Sequence, residues 1–236
     1  MLPLKINPDP LFSSTVEIRF KSNKSLNEIF ISLFSEFTKD FPKFKNTGFP
    51  TGLREKNIEL KYFPEYVFSN DDYSISFNEH FIAFEIISEY KLWKNYSVFL
   101  KQAINRLKDL GFIDEIERIG VRYGSIFENI EDISTILKHL PKLEISNFNE
   151  EFVVYMTKIV LGKIDLILRI KKDFELNDDQ NVNKKGHLID IDASIDSEFD
   201  KKKIFDDINE LHTALKELFF GLLNENFIKS LNPEYK

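Results

Sequence analysis

The sequence predicts an α+β protein of two similar halves, residues 1–112 and 113–236, each running strand, helix, three strands, helix, with a curved antiparallel sheet backed by long helices. Three observations predict it. Glu17-Ile18-Arg19-Phe20 and Gly120-Val121-Arg122-Tyr123 are alternating stretches, each with an arginine between two apolar residues. Leu100, Ala103, Ile104 and Leu107 match Leu211, Ala214, Leu215 and Leu218 at the same internal spacing, on two long amphipathic stretches. Between these landmarks each half carries period-two runs broken by turn residues. The strand pair and the helix pair differ in offset by the length of one loop insertion.

The first ten residues hold three prolines and read as an extended lead-in. Val16, Ile18 and Phe20 then alternate with Glu17 and Arg19, the pattern of a half-buried strand. Ser25-Leu26-Asn27-Glu28 has the spacing of a capping box, in which Ser25 accepts a free amide and Glu28 reaches back to the cap. Ile29, Phe30, Leu33, Phe34, Phe37 and Phe41 recur at helical spacing until Pro42 stops the helix. Residues 43–56 read as a loop. Strands are expected at 57–68, 72–78 and 80–88, and Tyr73, Ile75 and Phe77 alternate with serines and Asn78, so one sheet face is wet. A tryptophan-led helix carries Trp93, Tyr96, Leu100, Ala103, Ile104 and Leu107 and ends at Gly111.

From Ile116 the order restarts. A strand at 116–124 precedes a short helix at about 131–140 closed by Pro141, then strands at 151–160 and 163–171 around a Leu161-Gly162 turn. Residues 173–186 are polar enough for a mobile loop. A strand at 187–196 leads into a helix at 201–229, where Ile204, Ile208, Leu211, Leu215, Leu218 and Leu222 form one stripe.

With 42% apolar residues and 14% aromatics, a chain of 236 residues fills a substantial core. Its 24 phenylalanines occur with abundant Ile, Lys and Asn, which is the composition of an AT-rich genome rather than a set of base-stacking platforms. A net charge of −7 argues against binding nucleic acid by phosphate neutralisation. The absence of cysteine excludes disulfides, thiolate zinc sites and cysteine nucleophiles. No apolar run approaches the length of a membrane span and the first residues lack a signal-peptide core, so a cytoplasmic protein is expected.

Five segments, Val16-Glu17-Ile18-Arg19-Phe20, the helix from Trp93, Arg118-Ile119-Gly120-Val121-Arg122-Tyr123, Leu188-Ile189-Asp190-Ile191-Asp192, and Leu211-His212 followed by Phe219, span nearly the whole chain. Together they resemble a sporadically distributed bacterial family of uncharacterised proteins. The resemblance implies one full-length family unit, patchy occurrence suggestive of mobile or defence-associated loci, and no established reaction.

Asp190 and Asp192 are the sharpest chemical candidates. Two apart on a strand, they share a face with Ser194 and Asp196, and paired aspartates of this kind hold magnesium in some nucleotide enzymes. No glycine-rich phosphate cradle accompanies them. Arg118 and Arg122 flank Gly120 on one strand face, suited either to ion pairs with the aspartates or to anion recognition, and Arg19 is expected at the matching place in the first half. His212, on the flank of the last helix, reads as a half-buried hydrogen-bonding residue more readily than a general base. The four histidines have no metal-ligand spacing, so no metal or cofactor is expected.

The function expected is a non-catalytic binding or regulatory protein that recognises a protein partner through the sheet face, a groove or a strand edge. The last helix also offers a surface for a homodimer. The alternative is a metal-dependent nucleotide or nucleic-acid enzyme centred on Asp190 and Asp192.

Overall fold

A computed structural model describes residues 2–48, 52, 57, 60–139, 154–177, 183–196, 199–200 and 202–235. Among the described residues the strands and α-helices follow one another as β1 (Leu11–Lys21), α1 (Leu26–Phe37), β2 (Lys43–Asn46), β3 (Tyr66–Ser69), β4 (Tyr73–Phe77), β5 (Phe81–Ile86), α2 (Leu92–Leu110), β6 (Glu115–Phe127), β7 (Val154–Leu161), β8 (Ile164–Asn177), β9 (Asn183–Ile195), α3 (Ile204–Leu222) and α4 (Glu225–Ser230). The nine strands hydrogen-bond in the order β2-β3-β4-β5-β1-β6-β9-β8-β7. Every pairing whose register is described is antiparallel. The chain is therefore an α+β protein with a large antiparallel sheet.

By compactness the chain divides into two units that do not coincide with the sequence halves. One comprises Ser13–Val121 with Ser194–Leu211; the other comprises Met1–Phe12, Arg122–Ala193 and His212–Lys236.

In the first unit β1 buries Ser14, Val16, Ile18 and Phe20, and its register opposes Val16 to Phe84 and Ile18 to Ile82. The capping box at Ser25 starts α1: the Glu28 amide donates to Ser25 Oγ, and the Ser25 amide donates to the Glu28 carboxylate at 2.8 Å. Ile29, Leu33 and Phe37 form its buried stripe. Arg106 on α2 ties the two helices together, its Nε donating to Glu36 at 2.6 Å and Nη1 to Asp40 at 2.7 Å, while its guanidinium lies over the Phe37 ring. Tyr96, Leu100, Ala103, Ile104 and Leu107 are the buried face of α2, and Gly111 ends it with a φ of 66°, a conformation glycine adopts without strain. Tyr96 is fully buried, so its hydroxyl needs a partner and donates to the Phe84 carbonyl at 2.7 Å.

In the second unit Leu166, Leu168 and Ile170 of β8 and Ile189 and Ile191 of β9 are buried. Ala214 and Leu215 on α3 are buried as well. A smaller cluster of Ile6, Phe220 and Leu231, covered by Phe219, Phe227 and Ile228, anchors the N-terminal lead-in.

Several elements differ from the sequence reading. The loop expected over 43–56 contains β2, whose four residues are all exposed and so carry no alternation signal. Among the described residues of the strand expected at 57–68, the strand begins at Tyr66 and runs on to Ser69, because Asn78 holds the preceding segment in a turn by donating to the Lys61 and Phe63 carbonyls. In place of a helix at 131–140, Asp132 caps a single 3₁₀ turn, Ile133–Thr135, and the chain then bridges from Leu137 to Leu223. Pro141 and the first residues of the 151–160 strand lie outside the described residues. The described residues of the polar stretch 173–186 are strand, β8 running to Asn177 and β9 starting at Asn183; Glu175 and Lys185 pair across them at 2.7 Å. The helix expected over 201–229 is two helices, since Leu223 leaves α3 for the bridge to Leu137 and Asn224 caps α4 by accepting the Phe227 amide.

Candidate functional site

Alternation along β6, β8 and β9 sends one set of side chains into the core and leaves the other on the open face of the sheet. On β9, Ile189, Ile191 and Ala193 go inward; Asp190 and Asp192 go to the open face. On β6, Tyr123 goes inward and Arg122 outward, and on β8 Leu168 and Ile170 go inward while Arg169 goes outward.

These three strands are neighbours, and the second unit carries a three-residue ion cluster across them. Arg122 grips Asp190 with two nitrogens, Nε to Oδ1 at 2.7 Å and Nη2 to Oδ2 at 3.0 Å. Arg169 adds a third bond, Nη1 to Oδ2 at 2.9 Å. The Asp190 side chain is 5% exposed and that of Arg122 58% exposed. A carboxylate this buried needs its charge compensated, and the planar two-point match of guanidinium and carboxylate supplies that. Both carboxylate oxygens are thereby engaged, so a cation reaching Asp190 must displace a guanidinium. Asp192 is half-buried on the same face. Among the described residues no three His, Asp or Glu side chains converge as a metal site.

The first unit holds a separate cluster. Glu17 Oε1 accepts from Arg118 Nη1 at 2.8 Å and from Arg19 Nε at 2.7 Å. The Arg118 Nε lies 3.6 Å from Asp196, and the Arg19 guanidinium stacks on Tyr62 at 3.8 Å. Gly120 makes this possible: a Cβ there would come within 2.4 Å of Arg118 Nη1, so the guanidinium lies in the space a side chain would fill. Arg19 and Arg122 thus stand at the same step of the alternation, each on the open face between two buried residues. Their partners differ, since Arg122 reaches a neighbouring strand and Arg19 reaches two residues back along its own.

His212 belongs to the opposite, core side. It is buried beside Tyr123, whose hydroxyl lies 3.0 Å from Nδ1. Burial, and after it the nearby Lys216 cation, pushes its pKa down to about 3, so the ring is neutral across the physiological range. Tyr123 and Arg122 are consecutive on one strand, hence His212 and Asp190 lie on opposite faces and do not act on one substrate atom. His80 sits beside Glu79, His139 is exposed, and His187 is buried where its Nδ1 accepts the Asp173 amide at 3.4 Å.

Two features escaped the sequence reading. Arg169 completes the Asp190 cluster, and the available signal was its place between Leu168 and Ile170 in an alternating run. On β7 the register sets Met156 beside Arg169 and Val160 beside Asp165 on the same open face. Met156 is 65% exposed and Val160 64%.

Fold and site together define an α+β protein with a fixed arginine cluster on an exposed sheet surface. The chain matches no family model and no curated protein sequence. Among the described residues no helix is long and apolar enough to cross a membrane.

Proposed function

We propose that this is a non-catalytic binding or regulatory protein that recognises a protein partner on the open face of β6, β9 and β8. The observation that carries this reading is Arg122, a guanidinium held at two points by a buried carboxylate yet itself largely exposed. An arginine fixed in this way loses little further freedom when a partner binds. Its surroundings on the second unit's open face, Arg169, Ile167 and the exposed Met156, have the arginine and methionine content typical of contact surfaces. A partner with a carboxylate or a backbone carbonyl beside an apolar side chain fits that mixture.

The same reading takes the chain as cytoplasmic, and the sequence halves as duplicates. The strand order supports duplication, since β1 lies beside β5 and β6 beside β9, the first strand of each half next to its last. The family resemblance adds a mobile or defence-associated locus as the setting.

Quantitative affinity capture from the native host, with wild type and Arg122→Ala in parallel, tests the reading. Arg169 still holds Asp190 in that variant, so the fold stands. A protein captured by wild type, depleted with Arg122→Ala and bound as a purified pair at physiological salt is the expected result. Equal recovery of every captured protein by both forms refutes it.

A further inference from the structure

We propose that the protein forms a homodimer by antiparallel pairing of β7 with β7 of a second copy. β7 stands last in the strand order and, among the described residues, pairs with β8 alone. Alternate backbone amides and carbonyls along the eight residues Val154–Leu161 therefore point away from the sheet, a ready template for another strand. Proteins that keep such an edge solitary protect it with proline, a bulge or a free charge. β7 has no proline and no glycine. Its one charge, Lys158, is drawn back across the sheet to Asp165 at 2.7 Å. Its apolar side chains stand in water, with Val154 57% exposed beside the still more open Met156 and Val160.

The strand is complementary to itself. Its register with β8 places Val154, Met156, Lys158 and Val160 on one face and Tyr155, Thr157, Ile159 and Leu161 on the other. A two-fold axis through the sheet keeps each face on its own side, so residues that oppose one another must share a face. Centring the pair on Lys158 sets lysine against lysine. Centring it on Thr157 opposes Val154 to Val160, Tyr155 to Ile159 and Met156 to Lys158, pairing every residue from 154 to 160 with no like charges together. The occupant favoured by charge and side-chain matching is thus this strand itself. The dimer contact lies here and not on the last helix, whose stripe ends at Leu222. Arg122, on β6 with β9 and β8 between it and β7, stays open in the pair, so the inference does not require the partner reading.

The chain has no cysteine, which makes a single introduced cysteine a clean probe. With the axis through Thr157, the two copies of Thr157→Cys lie within disulfide reach, whereas the two copies of Lys158→Cys are offset along the strands. Mild oxidation of Thr157→Cys is expected to give a covalent dimer and of Lys158→Cys a monomer. Sedimentation of wild type is expected to show a dimer, and Val154→Lys combined with Val160→Lys, which sets lysine against lysine twice, to weaken it by about tenfold or more. Both positions are exposed, so that variant keeps the wild-type circular dichroism spectrum. Wild type sedimenting as a monomer at the highest soluble concentration overturns the dimer. Cross-linking of Lys158→Cys as efficient as that of Thr157→Cys overturns the pairing, and so does a lysine variant that remains dimeric.

Discussion

Replacing Asp190 with asparagine tests whether the cluster on β6, β8 and β9 serves the fold. The carboxylate receives three guanidinium N–H bonds of 2.7, 2.9 and 3.0 Å and is nearly enclosed. Asparagine keeps the shape but offers one acceptor oxygen, and turns two amide hydrogens towards a guanidinium that can only donate. Breaking a fully buried ion pair costs about 3–5 kcal/mol. Here the two arginines are far more exposed than the aspartate and can turn towards water, which lowers the expected loss to about 2 kcal/mol. For a chain of this size that loss corresponds to a fall of roughly 4–8 °C in Tm. Urea unfolding followed by circular dichroism, with Arg122→Ala and the double variant completing a cycle, separates the pair from its surroundings. The double variant should lose less than the sum of the two singles. A loss below about 0.5 kcal/mol for Asp190→Asn, the ordinary range for an uncoupled surface change, would refute the structural role. Magnesium binding by wild type that disappears in Asp190→Asn would instead favour the enzyme alternative.

Two further outcomes follow from His212 and from Gly186. The folded-state pKa of His212 is about 3 and lies below the unfolded value, so the fold favours the neutral ring; stability is full above the unfolded pKa near 6.5 and falls as pH drops towards 3, with a limiting slope of about 1.4 kcal/mol per pH unit. His212→Gln should flatten this slope in urea titrations between pH 6.5 and 4, and an unchanged slope would place the titration elsewhere. Gly186 faces the Phe127 backbone so closely that a Cβ would lie 2.4 Å from the carbonyl oxygen, and a strand backbone yields less readily than a side-chain tip. Gly186→Ala should therefore cost about 1–3 kcal/mol, whereas Gly120→Ala, whose nearest contacts are atoms of the movable Arg118 guanidinium, should cost much less.

Local chemistry made much of the fold readable in the sequence. Ser25 and Glu28 form their cap from residues three apart, and Gly111 ends α2 with its own backbone freedom. The serines of β4 misled: expected on a wet face, Ser74 and Ser76 are buried, and Ser74 donates to Glu85 at 3.2 Å. β2 was unreadable because an edge strand with four exposed residues has nothing for a pattern to record. The 131–140 stretch misled because Ile133, Ile136 and Leu137 have helical spacing, while the Asp132 cap and the bridge from Leu137 to Leu223 depend on a segment far along the chain. The candidate site divides in the same way. Asp190 and Arg122 could be placed on strand faces from their own alternation, but the arrival of Arg169 at Asp190 from the strand on its other side depends on cross-strand register, which sequence spacing does not fix.

The division into compact units bears on the order in which the chain acquires structure. The unit that begins at Ser13 is completed by Ser194–Leu211, including Asn209, which accepts the Trp93 indole N–H at 3.2 Å. A ribosome synthesising this protein must therefore pass through most of the other unit before the earlier one can close, so the early strands wait for their last partner in the company of whatever holds nascent chains. Cutting at the apparent midpoint of the sequence would separate residues that the fold needs together, and a stable fragment should instead be sought by joining 13–121 to 194–211 through a short linker.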